Sequence, residues 1–173
     1  MKPLAEKNNI QVYLDDDPPN PREDYDHLGK MICFHKRYKL GDPHDYDIDQ
    51  VYSWDDLRNQ ILETEGPGVI LPLYMYDHSG LTIRTYPFDC PWDSGQIGYI
   101  YGSEARASEL GIPKEKIQEV LEEEVELYDQ YLQGYAYGFT KTDDDGNIED
   151  SLSGILMVGT PDDLIDMVIG GQL

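Results

Sequence analysis

The residue types that could carry out chemistry gather in one stretch, as Asp77, His78, Cys90 and Asp93. A thiol with an imidazole base, itself oriented by a carboxylate, is the arrangement of a nucleophilic catalyst. Cys90 and His78, with Asp77 or Asp93 as orienter, would supply those types. Nothing around Cys90 matches a nucleophile elbow or a thiol-enzyme signature, however. Cys33, His35, His78 and Cys90, with Asp77 or Asp89 nearby, could instead converge on zinc, but Cys-x-x-Cys and His-Glu-x-x-His spacings are missing. Both cysteines stand in apolar strand contexts typical of buried thiols. Trp92-Asp93-Ser94-Gly95-Gln96 has the composition of a backbone-binding loop, and reads first as a turn whose Asp and Ser cap nearby N–H groups. No metal and no cofactor is expected, and the balance leans away from an enzyme.

A second kind of chemistry is electrostatic. The 173 residues carry 13 Lys and Arg against 35 Asp and Glu, a formal charge of −22 that argues against nucleic acid or an anionic membrane as a direct ligand. It favours basic partners. Solubility or a salty cytoplasm would also account for such acidity. Disorder is a poor reading, because 39% hydrophobic content with 14 tyrosines can build a core. His35-Lys36-Arg37-Tyr38-Lys39 is the one basic cluster, too small to bind nucleic acid against the global charge.

The acidic residues have a helical order. At 100° per residue, Glu115, Glu119, Glu122, Glu126 and Asp129 line one side of a helix expected from Pro113 to about Gln133. Their axial spacing approaches that of successive phosphates on one DNA strand. Ile117, Val120, Leu121, Leu127, Tyr128 and Tyr131 form the opposite face, with Glu124 in its midst. A carboxylate there needs a partner, since burying it alone costs several kcal/mol. His35 or Arg37 is the first expectation, then Arg84 or Arg22. Charge runs are also often no more than solvated faces. Further acidic patches are Asp15-Asp16-Asp17, the Asp42–Asp49 loop with Asp45 and Asp47, and Asp143-Asp144-Asp145. The last resembles part of a calcium loop. Lys141 falls where the first ligand belongs and Leu152 where a bidentate Glu is required, so a hairpin turn is the better reading.

The elements that must position these residues follow from pattern. Val69–Tyr76, Leu81–Tyr86 and Ile97–Tyr101 read as strands of a central sheet, with Asp77-His78-Ser79-Gly80 turning between the first two. Leu81, Ile83 and Thr85 would share one face of the second strand. Ile10–Leu14 and Met31–His35 are further strands, separated by a proline- and aspartate-rich loop over 15–26. Ser53 caps a helix through Glu65 with Leu57, Ile61 and Leu62 inward, and Gly66-Pro67-Gly68 ends it. Ser103–Leu110 is a short helix closed by Gly111. Tyr135–Lys141 and about Asn147–Val158 form a hairpin, and Thr160-Pro161-Asp162-Asp163 opens a terminal helix. The expectation is one α+β domain over 1–173: a mostly antiparallel sheet with one long acidic amphipathic helix and smaller helices.

Several segments together resemble a known group: Pro21-Arg22-Glu23, Leu28–Tyr38, Leu71–Gly80, Cys90–Gly98 (CPWDSGQIG) and Tyr128–Leu132. They resemble a family of small acidic proteins of unassigned function from bacteriophages, mobile elements and bacterial genomes. The likeness spans roughly Pro21 to Phe139 and carries no established activity or catalytic residue. It implies phage or mobile-element biology. By charge and size alone the chain is similar to DNA-mimic anti-restriction and anti-CRISPR proteins. The functional expectation is therefore an inhibitor that fills the nucleic-acid groove of a basic host defence protein, such as a restriction or CRISPR nuclease. The alternative is a small cysteine/histidine-dependent enzyme or metal-binding protein built on residues 77–96. No apolar run of membrane-spanning length occurs, and Met1–Lys7 lacks the apolar centre of a secretory leader, so the host cytoplasm is the expected compartment with both thiols reduced.

Overall fold

The computed structural model describes residues 2–157 and 159–173. Its strands are β1 (Ala5–Lys7), β2 (Ile10–Leu14), β3 (Lys30–Cys33), β4 (Gly68–Asp77), β5 (Leu81–Arg84), β6 (Ser94–Ser103), β7 (Ala136–Thr142) and β8 (Ile148–Leu156). Its α-helices are α1 (Trp54–Glu65), α2 (Glu104–Glu109), α3 (Ile117–Leu132) and α4 (Pro161–Ile169). Every strand pair is antiparallel, so the class is α+β as the pattern predicts. The strands form two sheets rather than one, in the orders β1-β2-β7-β8 and β3-β6-β4-β5. The chain groups into two compact units: Arg22–Asp129, and the residues up to Pro21 together with Gln130–Leu173.

In the Arg22–Asp129 unit the alternation of β3, β4 and β6 sends side chains to two covered faces. Ile32, Tyr99, Tyr101 and Ile70 meet Leu57 and Ile61 of α1 on one face. On the other lie Ile100 and Gly102, against Ile117 and Leu121 of α3. A Cβ on Gly102 would stand 3.1 Å from both Ile117 and Leu121, so the missing side chain sets how closely α3 approaches. Ser53 caps α1 as expected, its Oγ accepting from the Asp56 N–H at 3.1 Å, and Gly66 ends the helix at φ 89°. α3 starts later than its pattern suggests. Pro113 caps a single 3₁₀ turn, Lys114–Lys116, which holds Glu115, and α-helical geometry begins at Ile117. β5 ends at Arg84 because the Arg84 guanidinium turns onto the carbonyls of Tyr86 and Pro87 at 3.0 and 2.5 Å.

In the other unit, Ile10, Val12, Tyr137, Phe139 and Ile155 pack beneath Leu164 and Ile165 of α4. Thr160 and Asp163 form the capping box that opens α4. The β7–β8 hairpin turns at Asp143–Gly146, where Gly146 takes φ 85° and its N–H reaches the Asp143 carbonyl at 3.1 Å. Val158, expected at the end of that hairpin, and Met1 lie outside the described residues. Among the described residues no helix is long and apolar enough to cross a membrane.

Candidate functional site

The C-terminal ends of β3 and β4 and the N-terminal end of β6 meet at one end of their sheet, as the register Cys33↔Gly98 and Tyr76↔Ser94 requires. That end therefore gathers His35 and Arg37 after β3, Asp77 and His78 after β4, and Trp92, Asp93 and Ser94 around the start of β6. Arg37 forms an ion pair with Asp77, and the Tyr38 hydroxyl donates to the same carboxylate at 3.4 Å. His78 Nδ1 lies 3.3 Å from Asp93 Oδ2, and the Asp77 N–H donates to the Asp93 carbonyl at 3.0 Å. His35 Nδ1 accepts from the N–H groups of Arg37 and Tyr38, both at 3.2 Å, so the neutral ring carries its proton on Nε2.

The catalytic arrangement is only half assembled. His78 has its orienting carboxylate in Asp93, but among the described residues Cys90 Sγ makes no hydrogen bond to it. Cys90 is also not in a strand. It sits half-buried in the loop ahead of β6, where its carbonyl takes the Ser94 hydroxyl, so the apolar-strand reading of Cys90 is corrected. Prolines 87 and 91 keep that loop out of the ladder. Cys33 is buried on β3, and burial, then the nearby Asp42 charge, pushes its thiol up to about 12. A group that far from thiolate is a poor nucleophile or ligand. Among the described residues no group of three or more His, Cys, Asp or Glu is disposed to hold a metal ion.

Three cavities open around this basic corner, and His35 and Arg37 line all of them. One of about 460 Å³ runs along His35–His44, and one of about 350 Å³ reaches Trp92 and Asp93. The largest, about 880 Å³, is walled by Phe34, Trp54, Ile48 and Ile97 with Lys36 and Arg37. The sequence shows His35–Lys39 as a basic island but not the aromatic wall. Trp54 reads there only as the first residue of a capped helix.

The acidic residues divide by role. Glu126, Asp16, Asp17, Asp45, Asp144 and Asp145 are exposed, and none forms an ion pair among the described residues. Glu119 is exposed and pairs with Lys116, whereas Glu122 accepts from Gln118 at 2.9 Å. Glu115 is exposed on the 3₁₀ turn. Asp129, at the end of the expected stripe, accepts from the Ile83 N–H of edge strand β5 at 2.8 Å. Asp15 ties down the Gly154 N–H at 2.7 Å, and Asp47 caps a 3₁₀ turn over Ile48–Gln50. Asp143 spends its carboxylate inside the hairpin turn, and the Asn147 side chain, then backbone N–H groups, holds it below the usual carboxylate range.

Glu124 does not meet His35 or Arg37, nor Arg84. Its partner is Arg22, whose Nη1 donates at 2.9 Å, while the N–H groups of Leu28 and Gly29 add bonds of 2.6 and 3.1 Å. Arg22 also grips Asp42 through Nε at 2.9 Å, and its Nη2 donates to the Gly29 carbonyl at 2.6 Å. The side chain of Arg22 is 2% exposed. Burial opposes its charge, but Asp42 and then Glu124 hold its pKa above the ordinary value. His35 and Arg37 are unavailable because they turn toward the far end of β3, where Asp77 claims Arg37.

Comparison with family models, with curated proteins and with solved structures finds no match to this chain.

Proposed function

We propose that this chain is an acidic inhibitor of phage or mobile-element origin that occupies the nucleic-acid groove of a host defence protein, such as a restriction or CRISPR nuclease. The observation that carries the reading is the charge of −22, with Glu126, Asp16, Asp17, Asp45, Asp144 and Asp145 exposed and unneutralised. Carboxylates in that state can stand in for phosphates against a partner's Lys and Arg. Association of that kind is fast, and it weakens as salt screens the attraction. Glu119, Glu122 and Glu126 are the first candidates because they repeat along α3 at four- and three-residue intervals.

The test is affinity capture from a bacterial host lysate at low salt, followed by a salt step. The expected result is a nuclease or other DNA-binding protein that is retained at about 0.05 M and released by about 0.5 M salt. The triple variant Glu119→Lys, Glu122→Lys, Glu126→Lys should fold and lose that protein. Capture unchanged by the triple variant removes α3 as the mimic surface. Absence of any DNA-binding protein among the captured species overturns the reading.

A further inference from the structure

In a chain with 35 carboxylates many cations find one, as Lys7, Lys30, Lys114, Lys116 and Lys141 do. Among the described residues the exposed Lys2, Lys36, Lys39 and Arg58 form no ion pair. Of these four, Lys36 stands on the wall of the 880 Å³ cavity together with Arg37 and His35. Their neighbours on that wall are aromatic. The Phe34 and Trp54 rings lie 6.4 Å apart, and both pack against the core cluster of Ile32, Leu57, Ile61, Tyr99 and Tyr101. The Phe34 N–H is pinned to the Ile97 carbonyl at 2.8 Å, and Trp54 meets Tyr99 edge-on at 6.2 Å. The platform is therefore set by the sheet rather than by a loose loop.

We propose that this cavity is a binding site for a mononucleotide, its base on the Trp54–Phe34 wall and its phosphate at Lys36. The volume is within the range of small-molecule sites, roughly 300–1,000 Å³. Stacking a base on an aromatic side chain contributes about 1–3 kcal/mol and needs no sequence-specific bond. The phosphate finds the free Lys36 ammonium, the Arg37 guanidinium already anchored by Asp77, and the Nε2–H that the His35 tautomer leaves available. Gln96 and Asp49 on the same wall can bond base edges. The overall negative charge does not forbid this. Screening acts over about 8–10 Å at physiological salt, so a mononucleotide feels this local corner, whereas a polymer would run over the acidic surface beyond it. The proposal is independent of the inhibitor reading and goes beyond it.

Trp54 itself supplies the signal for the test. Trp92 is 90% exposed and lines a different cavity, so Trp92→Phe leaves Trp54 as the sole tryptophan. The four nucleoside 5′-monophosphates are titrated singly against this protein, with adenosine and inorganic phosphate as fragments. At least one nucleotide should quench Trp54 saturably, with each fragment at least about tenfold weaker. Lys36→Ala should weaken the nucleotide about tenfold, and Lys114→Ala, which does not line this wall, should not. Phosphate binding as tightly as the nucleotide would overturn the proposal by removing the aromatic platform. Failure of all four nucleotides to saturate, or equal affinity in Lys36→Ala, overturns it as well. Lys36 is exposed, so its variant tests the site without threatening the fold.

Discussion

Arg22 is the residue on which the most polar structure converges. It holds Asp42 and Glu124 at once, and each carboxylate also takes backbone donors, Met31 N–H at 2.7 Å for Asp42 and Leu28 N–H at 2.6 Å for Glu124. Removing the cation leaves two largely buried carboxylates without their shared countercharge. Arg22→Met should therefore cost about 3–5 kcal/mol in urea unfolding, against a much smaller loss for Lys36→Met. The need for a partner at Glu124 is visible in the sequence, because a carboxylate interrupts an apolar helix face. The partner is not. Arg22 is 102 positions away, in a proline-rich loop whose path no periodicity describes. Glu65 gives a second residue-scale test. Lys30 at 2.9 Å, and against some burial also Tyr46, hold its pKa below the ordinary carboxylate value. A depressed folded pKa contributes stability that is present above the unfolded value and is lost as pH falls through the folded one. The stability gap between the protein and Glu65→Gln should accordingly be constant near neutrality and close below about pH 4.

At the scale of elements, the decisive contacts are those that let α3 lie against its sheet. Gly29 and Gly102 make the room. A Cβ at Gly29 would come within 2.6 Å of Ile100, 2.7 Å of Leu121 and 2.8 Å of Glu124, whereas at Gly102 the nearest neighbours are at 3.1 Å. Gly29→Ala must displace packed side chains and disturb the Arg22 node, and should cost about 1–3 kcal/mol. Gly102→Ala should cost less, since Ile117 and Leu121 can yield by a few tenths of an ångström. The ranking of the two denaturation midpoints is the check. Elements defined by strong local signals are legible in the sequence: the Ser53 and Thr160 caps, the Asp143–Gly146 turn, and the strands around Asp77–Gly80. Their determinants lie within a few residues of one another. The division into two sheets was not legible, because it depends on β2 pairing on its other side with the distant β7, Val12 opposite Phe139, rather than with β3. The aromatic wall of the large cavity was hidden for the same reason. Phe34 and Trp54 are neighbours only because β3 and α1 share one face of a sheet.

At the scale of the whole molecule the question is whether charge helps or harms the fold, and magnitudes decide it. Among the described residues the ion pairs outside the Arg22 node lie mostly at the surface: Lys7–Asp166, Lys114–Glu104 and Lys116–Glu119 are each well exposed on at least one side. Exposed pairs contribute little each, and salt weakens them. Against them stands an excess of 22 negative charges, whose mutual repulsion grows with compaction and is also screened by salt. The repulsion involves every unpaired carboxylate, the pairs only a few, so relief of repulsion should win. The urea midpoint should therefore rise as sodium chloride increases from about 0.01 to 0.3 M and level off once the screening length falls to about 6 Å, shorter than most carboxylate separations. Urea is the required denaturant because guanidinium chloride would itself supply the screening. Potassium chloride should reproduce the curve at equal ionic strength, since screening does not distinguish the two cations. A midpoint that falls with salt would mean that surface ion pairs, not repulsion, dominate the balance. It would also weaken the case that the acidic surface is maintained for a partner rather than for the fold.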